Sequence, residues 1–303
     1  MAATTIIGDT QNLQYLDDLQ KIIKQGGPKP EEDQQLSALL LRLYLDFQAQ
    51  RISKTELEDL RNRMNLTPET MHGFTYLKPN GYAGCYEIIN RIYQHYHSQK
   101  PELYHWDRYS QTHPATQAVR NRKDYFIQLI HSKLETQDQL HVLNIASGPS
   151  RDLHDLFREQ PNLPVHIHCI EQDAKAIDYA SNLCQPYLDK ITFHEQNALR
   201  FKLPEKFDLV WSAGLFDYLQ DGLFIKLLRR LEKQTKSGGE IVIGNFSLNN
   251  PSRAYMELFE WKLIHRSDQT LLQLALDSGV KAKQLTIESE PLGINHFLHI
   301  QVD

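Results

Sequence analysis

The sequence predicts an α/β protein: a seven-strand, mostly parallel sheet with a C-terminal antiparallel hairpin, preceded by an N-terminal helical cap. Three observations predict it. From residue 140 onward, short apolar runs alternate with helical repeats, the pattern of parallel strands joined by crossover helices. The last two strand-like runs flank Pro291 and Gly293 with no helical repeat between them, so they read as a hairpin at the sheet edge. The first third repeats its apolar residues at helical spacing.

The elements follow in order. Leu13, Leu16, Leu19, Ile22 and Ile23 mark a first helix, which Gly26–Gly27–Pro28 stops. Pro30 opens a second, with Leu36, Leu39, Leu40, Leu43 and Phe47 on one face. Ser53 begins a third, and Glu56 completes a capping box. Tyrosines and glycines crowd residues 73–110, where Pro79–Asn80–Gly81 is a turn and Ile88, Ile89, Ile92 and Tyr93 suggest a helix. A further helix runs from Ala115 to His131, with Val119, Arg122, Phe126, Leu129 and Ile130 along one side. Strands are expected at 141–146, 165–171, 191–194, 207–212, 240–246, 284–289 and 295–302. Helices are expected at 151–159, 174–185, 221–234, 251–262 and 268–278. Residues 1–110 form a helical cap or lid and 111–303 the sheet domain in this division. The cap helices are also the expected surface for a homodimer.

Composition narrows the functions. The chain of 303 residues is 41% apolar and carries a net charge of -5. That balance speaks against a general nucleic-acid binder and against an electrostatic membrane anchor. No apolar run reaches the ~20 residues of a spanning helix. The N-terminus has no basic stretch leading into a long apolar run, so a secretory signal is not expected. Three scattered cysteines without metal spacing fit a cytoplasmic protein. His166 with His168, and His296 with His299, sit on strands without a third ligand nearby, so no metal site is expected.

The stretch HVLNIASGPSRD joins the first strand of the sheet to a helix. In open parallel sheets, ligands bind at the carboxyl ends of strands where the strand order reverses. Gly148, with the small Ala146 and Ser147, lets a ligand approach the backbone. A dinucleotide's diphosphate wants several glycines and free N–H donors, and Pro149 removes one donor. A nucleoside without phosphates fits better, and S-adenosylmethionine is one. Glu171 ends the second strand and can take both ribose hydroxyls; Asp173, past Gln172, is the alternative, or caps the next helix. Asn197, next to Ala198, can offer its amide to an adenine edge. Ser212, Ala213 and Gly214 end the fourth strand, and Asp217 and Tyr218 follow where an acceptor would meet the methyl group. Asn245 ends the fifth strand, and a polar, aromatic stretch with Arg253, Tyr255, Trp261, His265 and Arg266 comes after it.

Four stretches, GYAGCYEIINRIY, AVRNR, SAGLFDYL and GNFSLNNPSRAYMELFEWKLIHR, resemble the bacterial methyltransferases that make 3-hydroxypalmitic acid methyl ester, an extracellular quorum signal. The similarity covers roughly residues 73–303. It departs from the family pattern at Cys85, where relatives often carry Asp, and at Ser247, where they often carry His. The resemblance implies a Rossmann-like class I methyltransferase that uses S-adenosylmethionine on a small-molecule acceptor, with a fatty or hydroxy-fatty acid carboxylate in view. A carboxylate is ionised at neutral pH and needs no general base. The enzyme must align the reactants and exclude water. Tyr82, Tyr86, Tyr218 and Trp261 are candidate aromatic walls. Arg120, Arg253 and Arg266 are candidate carboxylate holders, with Arg120 the one to grip the methionine tail. N- or O-methylation of another metabolite, with Asp217 or His265 as base, is the second reading. A non-catalytic cofactor-binding protein is the third, favoured by Asn144, where many relatives have Asp. A dehydrogenase is the fourth.

Overall fold

The computed structural model describes residues 14–303. The elements, in order, are α1 (Gln14–Lys24), α2 (Asp33–Gln48), α3 (Lys54–Asn62), α4 (Met71–Leu77), α5 (Tyr86–Tyr93), α6 (Tyr104–Thr112) and α7 (Pro114–Leu134). There follow β1 (Leu140–Ile145), α8 (Arg151–Glu159), β2 (Val165–Glu171), α9 (Ala174–Leu183), β3 (Ile191–Glu195), β4 (Phe207–Ser212) and α10 (Asp221–Gln234). The chain closes with β5 (Thr235–Phe246), α11 (Arg253–Leu258), α12 (Asp268–Ser278), β6 (Ala282–Ser289) and β7 (Asn295–Val302). Leu13 of the expected first helix lies outside the described residues.

The strands form one sheet in the order β3-β2-β1-β4-β5-β7-β6. β1 to β5 are parallel, and β7 runs antiparallel to both β5 and β6. The expected seven-strand sheet with its C-terminal hairpin is present. Alternation along the strands splits the core into two layers. Leu143, Ile145, Val210, Ile241 and Ile243 meet Phe224, Leu227, Leu228 and Leu231 of α10 and Leu271 and Leu274 of α12. On the other face Val142, Ile167, Leu209, Trp211 and Val242 meet Phe126 and Ile130 of α7 and Leu153, Leu156 and Phe157 of α8. Being buried on both faces, β1 and β4 read as near-continuous apolar runs.

The chain divides into two compact units. The helical unit comprises the described residues up to Ala83, Tyr96–Thr112 and Arg253–Trp261; the sheet unit comprises Gly84–His95, His113–Ser252 and Lys262–Asp303. A single boundary at residue 110 does not describe this division. α5 joins the sheet unit because Arg120 of α7 donates to its Ile92 carbonyl and Arg151 to its Asn90 side chain. α11 joins the helical unit because Leu258 and Phe259 complete a core of Leu19, Leu36, Leu40, Leu57, Met64 and Trp106. In that unit Asp107 accepts from the backbone N–H groups of Met71 and Ser98, at 2.7 Å each.

Two expected spans differ from the structure. The helix expected over 251–262 is only α11, because Glu260 turns left-handed (φ 61) and ends it. The chain then runs without helix to Arg266, whose N–H donates to the Phe246 carbonyl at 3.0 Å. β5 starts at Thr235 rather than at 240, because Gly238 (φ 77) and a register shift opposite Phe207–Leu209 admit the extra residues.

Candidate active site

The strand order reverses between β1 and β4, and the loops leaving these strands meet there. Ser212 Oγ donates to the Ile145 carbonyl at 3.2 Å and ties the two strand ends together. The β1 loop alternates in hand: Ala146 (φ 56), Gly148 (φ 56) and Ser150 (φ 49) are all left-handed. Two of these are not glycine, so the loop stores strain, a feature that concentrates at functional sites. A Cβ added at Gly148 would meet no atom within 4 Å, so open space lies over the loop.

Glu171 holds the loop from the neighbouring strand. Its carboxylate accepts from the N–H groups of Gly148 at 3.0 Å, Gln172 at 2.8 Å and Asp173 at 3.0 Å. An ionised carboxylate offers about four acceptor positions, so capacity for a hydroxyl donor remains. Asp173 takes the capping role, accepting from Lys175 N–H at the start of α9. Asn197 donates to Gln172 Oε1 at 2.7 Å and accepts from Leu199 N–H, with Ala198 half-buried between them. Glu171, Gln172 and Asn197 therefore sit together beyond β2 and β3.

Arg122, expected only on the inner face of a helix, reaches the end of β4. From α7 its guanidinium donates to the Ala213 carbonyl at 2.9 Å, and a Cβ at Gly214 would stand 3.3 Å from its Nη2. It is buried, its Nε has no partner, and it makes no ion pair among the described residues. The carboxyl groups of Asp152 and Asp217 both feel its charge. Burial nonetheless pushes each of them up from 3.8 to about 6. Asn144 Nδ2 and Ser150 Oγ, at the head of β1 and in its loop, are also buried without partners. Buried orphan donors of this kind point to a missing ligand. The charge of Arg122 and the polar amide of Asn144 fit a ligand with a carboxylate tail and no phosphate. No spacing signal separates Arg122 from a packing residue; an arginine on the apolar side of a helix was the one available hint.

Asp217, Asn245 and Arg266 come together, but as a clamp. Asp217 Oδ1 accepts from Phe246 N–H at 2.6 Å, and its carbonyl accepts from Ile264 N–H. Arg266 donates to Asn245 Oδ1 at 2.9 Å, to the Phe216 and Leu219 carbonyls, and to Asp221. Asn245 donates in turn to the Phe246 and Ile264 carbonyls. With its donors engaged and its guanidinium 5.0 Å over the Phe224 ring, Arg266 fastens the β4 loop to the end of β5. His265 meets Asn250 Nδ2 at 3.1 Å and the Leu263 carbonyl at 3.2 Å.

The remaining candidates take no part in the hydrogen bonds of this clamp. Tyr218 is exposed beside Asp217. Tyr86 on α5 stands 5.6 Å from Tyr179 of α9, ring to ring. Arg120 is buried on α7, facing Gln117 and the Ile92 carbonyl. Tyr82, Arg253, Tyr255 and Trp261 belong to the helical unit. There Arg253 pairs with Glu257 at 2.6 Å, and Tyr255 is a core residue whose hydroxyl meets Ser110 Oγ at 2.5 Å. Among the described residues no group of three or more metal-ligating side chains is placed to hold an ion, and no helix is long and apolar enough to cross a membrane.

Residues 136–286 match a family model described as a methyltransferase domain. No curated protein matches the chain. Among solved structures it is similar to a protein of Bordetella parapertussis described as a candidate exported protein, with TM-score 0.59 and 18% identity over 95% of this chain and 96% of that one. It is also similar to the magnesium protoporphyrin IX methyltransferase of Synechocystis PCC 6803 with bound S-adenosylhomocysteine, with TM-score 0.52 and 12% identity over 75% of this chain and 96% of that one. At these identities the likeness is one of fold.

Proposed function

We infer that this chain, an S-adenosylmethionine-dependent methyltransferase by its family model and fold, methylates a carboxylate of a small acid of the fatty or hydroxy-fatty type. When bound, S-adenosylmethionine supplies an electrophilic methyl carbon on a sulfonium. The observation that carries the reading is the set of groups around the β1–β4 switch point: a buried cation, Arg122, with no ion pair among the described residues, beside carboxyl groups already engaged or buried. Arg122 would hold the methionine carboxylate and Glu171 a ribose hydroxyl. Arg120, buried on the same helix, is the sheet unit's candidate for the acceptor carboxylate. Asp217 is committed to Phe246 N–H, so an acceptor that arrives ionised asks nothing of it. The four sequence stretches that resemble the ester-forming family support the same acceptor.

One observation favours a second reading, methylation of a hydroxyl or amine. Asp217 is held at about 6, close to where a general base works best. The two readings separate on product analysis. The chain is incubated with methyl-labelled S-adenosylmethionine and separate panels of long-chain acids, phenols and amines, and products are read by mass spectrometry. Methyl esters from the acid panel are expected. Label found only in phenols or amines would move the function to the second reading.

A further inference from the structure

Away from the cofactor loop, the sheet unit carries a cationic recess. α10 places Lys226, Arg229, Arg230 and Lys233 at i, i+3, i+4 and i+7, one face of the helix. The connection from β3 to β4, residues 196–206, has no helix and lays Phe201, Lys202 and Leu203 against that face. With Gln234 these residues line a recess of about 540 Å³. No carboxylate lines it, and none of the five basic residues makes an ion pair among the described residues. Glu232, the acid on this part of α10, accepts instead from Lys281 N–H at 2.9 Å.

This arrangement has a cost. Like charges three and four residues apart on a helix destabilise it, and here four such pairs stand without a neutralising partner. The chain as a whole is acidic, at -5, so the excess is local. Its geometry is fixed at the walls. Arg229 donates to the Ser278 and Asp277 carbonyls at 2.7 and 3.3 Å. Arg230 donates to the Phe201 carbonyl at 2.6 Å, with its guanidinium 5.8 Å over the Phe201 ring. Lys202, Lys226 and Lys233 complete the lining as unpaired point charges. A concave, metabolite-sized recess suits a small ligand better than a flat partner surface does.

We propose that this recess binds a small metabolite bearing two or more phosphate groups. The recess is distinct from the β1 loop: Lys233 precedes β5, at the strand end opposite that loop, while Phe201–Leu203 continue the connection in which Phe201 N–H donates to the Asn197 carbonyl at 2.9 Å. Pinned arginines with remaining N–H donors and lysines on flexible stems together recognise phosphate oxygens.

The test is calorimetric titration of the full chain with inorganic pyrophosphate and with ATP as probes, beside the Lys226→Glu/Lys233→Glu double variant. We expect saturable binding of at least one probe, weakened by added salt and at least about tenfold weaker in the variant. The variant should keep its affinity for S-adenosylhomocysteine and melt no lower than the parent, since each new acid meets an arginine one turn away. Failure of both probes to saturate, or equal binding by the variant, overturns the proposal. So does binding of phosphatidylglycerol vesicles or an acidic peptide where neither probe binds, which would make the face a docking surface instead.

Discussion

At the scale of single residues, the proposed cofactor role of Arg122 is the assignment most open to test. A buried guanidinium with an unpartnered Nε is costly unless a ligand completes it. Arg122→Ala should therefore weaken S-adenosylhomocysteine by roughly 1.5–3 kcal/mol, the worth of a charged hydrogen bond, as read by calorimetry. Arg120→Ala should leave that affinity nearly unchanged and raise the KM of the acceptor; the opposite pattern would exchange the two assignments. Asp217 gives a pH prediction. Its carboxyl titrates at about 6 in the fold against 3.8 outside it, so the fold favours the protonated form. That contribution is complete below pH 4 and is lost as pH rises through 6. Asp217→Asn should flatten the fall in unfolding free energy over this window by roughly 3 kcal/mol, measured by urea denaturation. An unaltered pH profile would show that Asp217 does not titrate there.

The cofactor loop shows best, among the elements, how a short sequence sets geometry. Ala146 adopts a left-handed conformation that costs an L-residue roughly 1–2 kcal/mol. Glycine would relieve that cost while adding freedom to the unfolded chain. Ala146→Gly should therefore stabilise the ligand-free chain slightly, by about 0.5 kcal/mol, with the urea midpoint as the measure. A loss of stability instead would mean that the Ala146 methyl packs usefully. The clamp of Asp217, Asn245 and Arg266 is the other element-scale device. It joins a turn, a strand end and a segment some fifty residues from the turn, so in the sequence Arg266 reads as a substrate arginine while its partners lie far along the chain. The shortened α11 belongs here too: the helical repeat of residues 251–262 is real, but Glu260 breaks it.

Discontinuity governs the whole molecule. The helical unit takes in three separate stretches, so its core is assembled from both ends of the chain's middle. A chain beginning at Gly84 would leave Trp106, Tyr109, Leu258 and Phe259 without the helices that bury them. Such a truncation should bind a hydrophobic dye strongly and lose its cooperative melt. Dye binding equal to that of the full chain would show that these side chains find other cover.

Much of this was readable from the residues alone. The seven strands, their order of appearance and the terminal hairpin follow from local apolar periods of two and 3.6, which the backbone imposes wherever a face is buried. That the β1 loop, Glu171 and Asn197 stand at the carboxyl ends of parallel strands was readable for a related reason: the strand periods fix where each strand ends, and parallel sheets take ligands there. Arg122, the clamp and the cationic recess were not readable, because each depends on which side chains meet across long separations. A helix face tells that a residue points inward, but only packing decides whether it meets apolar neighbours, backbone carbonyls or an open site. Tertiary structure alone therefore separated Arg122 from its packing neighbours, gave Arg266 to the clamp, and sent Arg253 and Tyr255 to the helical unit.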